Sequence, residues 1–494
     1  MHASVVVALP QGKIRGTATG SVCAFLGIPY AAAPLGAALF QAPGPAPSWD
    51  GERDATRFGP TAPQLGYPEP LSAILHNPII EGPEFLNLNV WTPDPTTSGL
   101  PVMVWIHGGA YRVGSNAVSV YNGHAFARDG VVLVSVNYRL GAIGFAAVDG
   151  APTNRGILDQ IAALRWVHDN IAAFGGDPDQ VTLFGESAGA MSVATLIAAP
   201  LAAGLFHRAI IQSGNATIAS TLEDARLVAE EFVGRLDTPL DSTDIPALLA
   251  AERDLVLAFV LDQNPDRWGR STITAGLGLM AFLPTIDGDT LPQLPLDAIA
   301  AGAARDIPLI VGTTADEFRL YSAPTGLTTA LTPEALTQTL VTRGLDPAIA
   351  NTYSANRPNT IPGDLLAAIL TDWAFRIPAT RLTEAAITSG GTTYQYEFAW
   401  PTTHLDLRAC HAIEIAFVFD TLTAEGTSMM LGPVTPPQTL ASEMHHTWID
   451  FANGRTPWTP YDLETRSVMT FNTPRSHLVS NPRADELALW SHEN

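Results

Sequence analysis

The chain has 494 residues, 46% hydrophobic and only 15% charged, the composition of a folded globular protein rather than a disordered one. Its 48 acidic residues outnumber 26 basic ones, giving a net charge of −22, with Lys13 the only lysine. Without an arginine-rich stripe to neutralise phosphates, a nucleic-acid partner is excluded, and no window approaches the 18 or so uninterrupted apolar residues of a membrane span.

Residues 4–7 and 13–17 read as a hairpin around Pro10-Gln11-Gly12. The segment before it has no basic n-region and too short an apolar run for a signal peptide, so a cytoplasmic location is the expectation. Asn87-Leu88-Asn89-Val90-Trp91-Thr92 alternates polar and apolar, the pattern of a half-buried strand. Val102–Ile106 and Val131–Val136 are apolar runs of strand length, as in strands buried on both faces. Asn154–Ala173 has helical spacing, with Ile157, Ile161, Leu164 and Ile171 among its apolar positions. Ala209–Gln212 and Leu309–Gly312 are further short buried strands. This strand–helix alternation predicts an α/β fold with a large, mostly parallel, doubly wound sheet. With no internal repeat and no low-complexity linker, residues 1–494 read as one catalytic domain, with helix-rich excursions at about 222–305 and 330–390 over its mouth.

The chain's chemistry centres on Gly185-Glu186-Ser187-Ala188-Gly189. The apolar stretch Val181–Phe184 precedes it, and a helix-forming run through Ala199, stopped by Pro200, follows. Strand, sharp Gly-x-Ser-x-Gly turn and helix are the setting in which this motif presents a nucleophilic serine. The glycines leave room where any Cβ would collide, and the helix start offers free N–H groups and a positive dipole end to an oxyanion. Two cysteines, Cys23 and Cys410, lie far apart and have no metal-type spacing; two free thiols are expected.

Several stretches together resemble the type-B carboxylesterase/lipase family, the cholinesterase-like branch of the α/β hydrolases, on its bacterial, para-nitrobenzyl-esterase-like side. They are Phe25–Ala31, Trp105–Tyr111, Asn137–Gly141, Phe174–Pro178, the Gly-Glu-Ser-Ala-Gly turn, Gln212–Gly214 and Ile286–Asp289, in the family's order from about residue 11 to about residue 471. The chain departs from the family where many members carry an arginine–glutamate ion pair and a disulfide cysteine. Leu39, Pro83 and Phe85 stand at those places, so segment 60–85 is expected to pack by apolar contacts and to bring no cysteine-closed loop to the rim.

The resemblance implies the fold and the reaction, hydrolysis of small to medium uncharged carboxylic esters through an acyl-serine. In the family's order of serine, acid and histidine, Ser187 is the nucleophile, Glu317 the acid with Asp316 as rival, and His411 the base. The oxyanion hole is expected from the N–H groups of Gly109, Ala110 and Ala188, and His107 is expected to shape that loop. Gly108-Gly109-Ala110 has the form that goes, in this family, with bulky or tertiary alcohol groups. Glu186 is either a source of negative potential or a structural acid; Ser213 and Glu414 are supporting residues that hydrogen-bond near the triad. Some of Phe282, Phe318, Phe375 and Phe417 line the pocket. The expectation includes no metal, no cofactor, a small-molecule ester as partner, and a monomer or homodimer. An amide or carbamate hydrolase with the same triad, or a non-catalytic binding protein of this branch, remain as alternatives.

Overall fold

The apolar runs become the strands of one sheet. The computed structural model describes residues 3–237 and 239–490. In chain order the strands are β1 (Ala3–Leu9), β2 (Gly12–Thr19), β3 (Val22–Pro29), β4 (Glu52–Asp54), β5 (Asn87–Thr92), β6 (Leu100–Ile106), β7 (Val132–Val136) and β8 (Gly176–Glu186). They continue with β9 (Arg208–Gln212), β10 (Ser220–Thr221), β11 (Thr285–Ile286), β12 (Leu309–Thr314), β13 (Thr393–Phe398), β14 (Ser467–Phe471) and β15 (His477–Ser480). Among the described residues, β10 and β11 pair with each other and the rest form a 13-stranded sheet in the order β1-β2-β3-β5-β7-β6-β8-β9-β12-β13-β14-β15, with β4 beside β2.

From β7 to β14 every neighbouring pair is parallel. The β1–β2–β3–β5–β7 edge and the β14–β15 edge are antiparallel. The mostly parallel sheet expected from the sequence is therefore present, and so is the hairpin at Pro10-Gln11. Side chains alternate across a strand, and β6 feeds two different cores: Val102, Val104 and Ile106 enter one apolar cluster, Met103 and Trp105 another. Each face of the sheet is thus covered, which is why its central strands read as unbroken apolar runs.

The half-buried strand expected at residues 87–92 is a correction. All six residues of β5 are buried, because β5 lies between β3 and β7 inside the sheet. Its polar side chains are satisfied there: Asn87 Nδ2 donates to Pro60 O (2.7 Å), Asn89 Nδ2 to Ser135 Oγ (3.1 Å) and Thr92 Oγ1 to Phe174 O (2.7 Å).

Segment 60–85 also differs from expectation. Phe85 and Ile74 are buried, and Leu39 is sealed against the same core, but polar contacts hold much of the segment. Thr61 N–H donates to Ile80 O (2.9 Å), Gln64 Nε2 to Gly114 O (2.9 Å) and Asn77 Nδ2 to Gln64 Oε1 (2.9 Å). Arg53 pairs with Glu84 (2.5 Å). Irregular backbone needs partners for its polar groups, and Thr61 and Gln64 supply some of them, Thr61 Oγ1 accepting Ile80 N–H (3.1 Å) and Gln64 Oε1 accepting Gly114 N–H (2.9 Å).

The helix Arg155–Asn170 forms as its spacing predicts, and the long helix Ile245–Leu261 lies in the helix-rich stretch 222–305. No helix among the described residues is long and apolar enough to cross a membrane.

Candidate active site

Parallel strands place their carboxyl ends on one side of a sheet, where loops and helix starts meet. Here the ends of β6, β8, β9 and β12 deliver the oxyanion-loop candidates, Ser187, Ser213 and Glu317 to one region, because these strands are neighbours.

Ser187 caps the helix Ala188–Ala198 with φ 55° and ψ −125°, a backbone conformation costly for a residue with a side chain. Two partners hold it: its N–H donates to Gln212 O (2.9 Å), and its carbonyl accepts from Met191 N–H (2.9 Å). A Cβ on Gly189 would stand 2.0 Å from Ile106 O, so only glycine lets the helix approach β6 this closely. The turn projects the serine hydroxyl, and Ser187 is only partly covered while its neighbours are buried.

His411 comes from a loop more than 90 residues beyond Glu317, and its ring bridges two carboxylates. Nδ1 lies 2.6 Å from Glu317 Oε2, and Nε2 lies 3.0 Å from Glu186 Oε1. The second contact is at ion-pair distance but out of line for a hydrogen bond, so Nε2 is not consumed by it. Glu317 is fully buried, and its other oxygen accepts Thr314 N–H (2.8 Å), which fixes the carboxylate. Asp316 points elsewhere, toward Ala409 N–H (3.4 Å), so the rival acid does not reach the imidazole. Among the described residues Ser187 Oγ makes no hydrogen bond in this resting geometry, a looseness common before substrate tightens a site.

Burial shapes the protonation of this cluster. It raises the Glu186 carboxyl to about 8, against the pull of the His411 cation. Burial lowers the His411 pKa, but the carboxylates of Glu186 and Glu317 outweigh it and carry the ring up to about 9. The two groups titrate as a pair: the imidazolium favours an ionised Glu186, and an ionised Glu186 holds the proton on the ring. Glu414 is also raised by burial, to about 7, and accepts from Gln212 Nε2 (3.1 Å). The hydrogen bond expected of Ser213 is not made: its Oγ is buried without a protein partner among the described residues, and only its N–H is used, toward Gly312 O (2.8 Å).

The loop after β6 carries the candidate oxyanion donors. Gly109 has φ 111° and a Cβ there would stand 1.9 Å from Val113 O; Ala110 and Tyr111 follow with φ 55° and 57°. Gly109 O accepts from Arg112 N–H and Val113 N–H (both 3.0 Å), while no carbonyl among the described residues takes the N–H of Gly109 or Ala110. The N–H of Ala188, at the first position of its helix, has no intrahelical acceptor either. His107 Nδ1–H donates to Gly108 O (2.8 Å), and the ring stacks on Tyr138 and is kept neutral by burial, with a pKa lowered to about 4. It shapes the loop, as expected.

A cavity of about 540 Å³ opens on Ser187, His411, Gly109 and Ala110. Its walls are mostly apolar, with Met191, Leu257, Val260 and Leu320 among them. Of the four phenylalanines considered, Phe318 and Phe375 line it; Phe282 packs on Phe232, and Phe417 on Phe398 and Trp400. Residues 253–280 and 374–375 reach the cavity from the two helix-rich stretches, and residues 67–77 add a third wall. The sequence did not single out Tyr67, Arg112, Tyr121 or Tyr321, which also line it; the one signal available was Arg112, a charge directly after an otherwise uncharged glycine loop. Both cysteines are free, and burial pushes the Cys410 thiol well up, so it is inert packing.

Comparison with known proteins agrees with this geometry. The carboxylesterase family model matches residues 3–490. The chain is 36% identical over 482 residues to the para-nitrobenzyl esterase of Bacillus subtilis strain 168, covering 95% of each chain. It is 34% identical over 465 residues to the fumonisin B1 esterase of Sphingopyxis macrogoltabida, covering 90% of this chain and 80% of that one. Among solved structures, a PNB esterase superposes with a TM-score of 0.82 at 33% identity, covering 98% of this chain and 99% of the other. The Geobacillus stearothermophilus carboxylesterase EST55 superposes with a TM-score of 0.81 at 34% identity and the same coverage. The chain belongs to the carboxylesterase family and is a serine carboxylesterase with the α/β-hydrolase fold.

Proposed function

We propose that Ser187, His411 and Glu317 carry out the ester hydrolysis as nucleophile, general base and orienting acid. The observation that supports this most directly is the 2.6 Å contact between His411 Nδ1 and Glu317 Oε2 beside the strained Ser187 turn. His411 Nε2 takes the proton of Ser187 Oγ as the oxygen attacks the ester carbonyl. Glu317 holds the Nδ1–H tautomer and stabilises the imidazolium. The N–H groups of Gly109, Ala110 and Ala188 receive the oxyanion, with the positive end of the helix Ala188–Ala198 behind them. Collapse expels the alcohol, which leaves with the proton from His411. A water then gives its proton to His411, attacks the acyl-serine and releases the acid.

The apolar walls suit small to medium uncharged esters, and the Gly108-Gly109-Ala110 loop suits hindered alcohols. Residues 1–494 act in this reading as one catalytic domain, a monomer or homodimer in the cytoplasm, with stretches 222–305 and 330–390 over the mouth. The unbridged thiols Cys23 and Cys410 agree with a reducing compartment. Glu186 sets the protonation of His411, and Glu414 steadies Gln212, whose carbonyl holds the Ser187 N–H.

The test is hydrolysis of p-nitrophenyl esters from acetate to palmitate by the wild type and by Ser187→Ala. Short esters turn over in the wild type, and the variant loses several orders of magnitude in kcat. A well-folded wild type that is inert on every ester overturns the reading.

A further inference from the structure

Arg112 stands two residues beyond Ala110, with its backbone tied to Gly109 O (3.0 Å), and lines the cavity. A guanidinium is charged at every working pH and has five donors to satisfy. Among the described residues the Arg112 guanidinium makes no ion pair and no hydrogen bond. The other arginine on the cavity wall is different: Arg253 is mostly exposed and paired with Asp254 (2.9 Å). Arg112 is only partly buried at the wall, so its unpaired guanidinium is reachable from the cavity and can take an anionic acceptor there.

The surroundings point to an acceptor. Tyr67, Tyr121 and Tyr321 line the same cavity, and none of their hydroxyls makes a hydrogen bond or is sealed within protein among the described residues. The charge of Arg112 acts on Tyr67 and on Glu252, opposing in both the upward push of burial on the pKa. Glu252 is not its ion-pair partner; it turns to Ala142 N–H (2.9 Å), where burial raises its carboxyl to about 7. The remaining acids at the cavity are Glu186, occupied with His411, and Glu425, exposed at the rim. Of the two arginines on the wall, only Arg112 lacks an ion-pair partner among the described residues, and it shares the wall with several phenols, which the charge of Glu186 also reaches.

We infer that Arg112, assisted by the Tyr67 phenol, forms a subsite for a carboxylate that the ester substrate carries away from its scissile bond. One planar guanidinium matches one planar carboxylate, with two parallel N–H···O bonds. The substrate class thereby widens from uncharged esters to monoanionic ones: half-esters of dicarboxylic acids, or acyl esters of hydroxy acids. The inference rests on the esterase reading above and adds a specificity residue to it.

The experiment compares matched pairs at pH 7.5 by alkali titration in a pH-stat. One pair is monomethyl adipate and methyl adipamate, with the carboxylate on the acyl side; the other is 4-acetoxybutanoate and 4-acetoxybutanamide, with it on the alcohol side. The wild type favours the carboxylate member of at least one pair in kcat/KM. Arg112→Gln lowers that carboxylate-to-amide ratio about tenfold or more, chiefly through KM, and Arg112→Lys retains part of it. The ratio is internal to each variant, so a general loss of folded enzyme does not imitate the effect. If the wild type hydrolyses the amides at least as well as the carboxylates in both pairs, or if Arg112→Gln leaves the ratio unchanged, the inference is overturned while the esterase reading stands. If no member of either pair reacts while p-nitrophenyl acetate is turned over, the inference is overturned and the esterase reading stands; inertness on p-nitrophenyl esters as well overturns both.

Discussion

Nε2 of His411 lies 3.0 Å from Oε1 of Glu186, the residue immediately before Ser187. A base with a carboxylate on each ring nitrogen holds its proton more tightly than a free imidazole, and only the neutral ring can accept the serine proton.

The pH profile follows with a definite sign. His411 is raised to about 9, so the active neutral form appears as pH rises, and kcat/KM climbs through neutral into mildly alkaline pH. Glu186→Gln removes one of the two negative charges, lowers the His411 pKa and moves the acid limb to lower pH by about one to three units. A limb that stays in place after this change, measured on p-nitrophenyl acetate, counts against the Glu186–His411 coupling.

In the proposed triad Glu317 acts through the tautomer of His411. In Glu317→Gln an amide N–H2 or oxygen replaces the carboxylate 2.6 Å from Nδ1, and the imidazolium loses its stabilising charge. The expected loss in kcat is about 10³- to 10⁴-fold, with KM nearly unchanged. Steady-state kinetics on p-nitrophenyl acetate measure it, and a loss below tenfold would remove Glu317 from the triad.

Gly189→Ala tests the close approach of the helix to β6. The new Cβ meets Ile106 O at 2.0 Å, a backbone carbonyl rather than a flexible side chain that could give way. Destabilisation of about 3 kcal/mol or more is expected, seen as a lowered urea midpoint or loss of folded protein. Gly204→Ala, where nothing stands near the added carbon, serves as the mild comparison, its cost limited to the strain of a φ of 77°.

Arg139 and Asp159 form an ion pair whose side chains are both fully buried, at 2.7 Å. Arg139 also donates to the carbonyl of Leu39 (2.9 Å), tying down the loop where the family's arginine is missing. Arg139→Met leaves the Asp159 charge buried and unpaired, and about 3–5 kcal/mol of stability is lost. The double variant Arg139→Met/Asp159→Leu recovers part of that in urea unfolding; a double variant no better than the single one contradicts the pairing.

Hindered esters probe the glycine loop. Among the described residues no carbonyl takes the N–H groups of Gly109 and Ala110, which sit in a turn of positive φ, so tert-butyl acetate is expected to be hydrolysed slowly but measurably. Product alcohol indistinguishable from the Ser187→Ala background at high enzyme loading refutes this.

What the sequence by itself determined is whatever depends on neighbours along the chain. The Gly185–Gly189 turn, the apolar strands on either side of it and the glycine loop after β6 are local patterns, because turn geometry and two-face burial are written in consecutive residues. What depends on packing between distant segments was decided only in the tertiary structure. Residues 87–92 alternate as if one face met water, yet β5 is buried on both, since strand order sets exposure and alternation does not. Asp316 and Glu317 are adjacent in sequence, and only the path of the loop to Ala409 and His411 separates their roles. Glu186 against His411 is a relation across 225 residues, and that the Arg112 guanidinium has no ion pair among the described residues is likewise a fact of packing. Charges and donors in a sequence state what a residue can bind, and the folded chain alone states what is left near it to be bound.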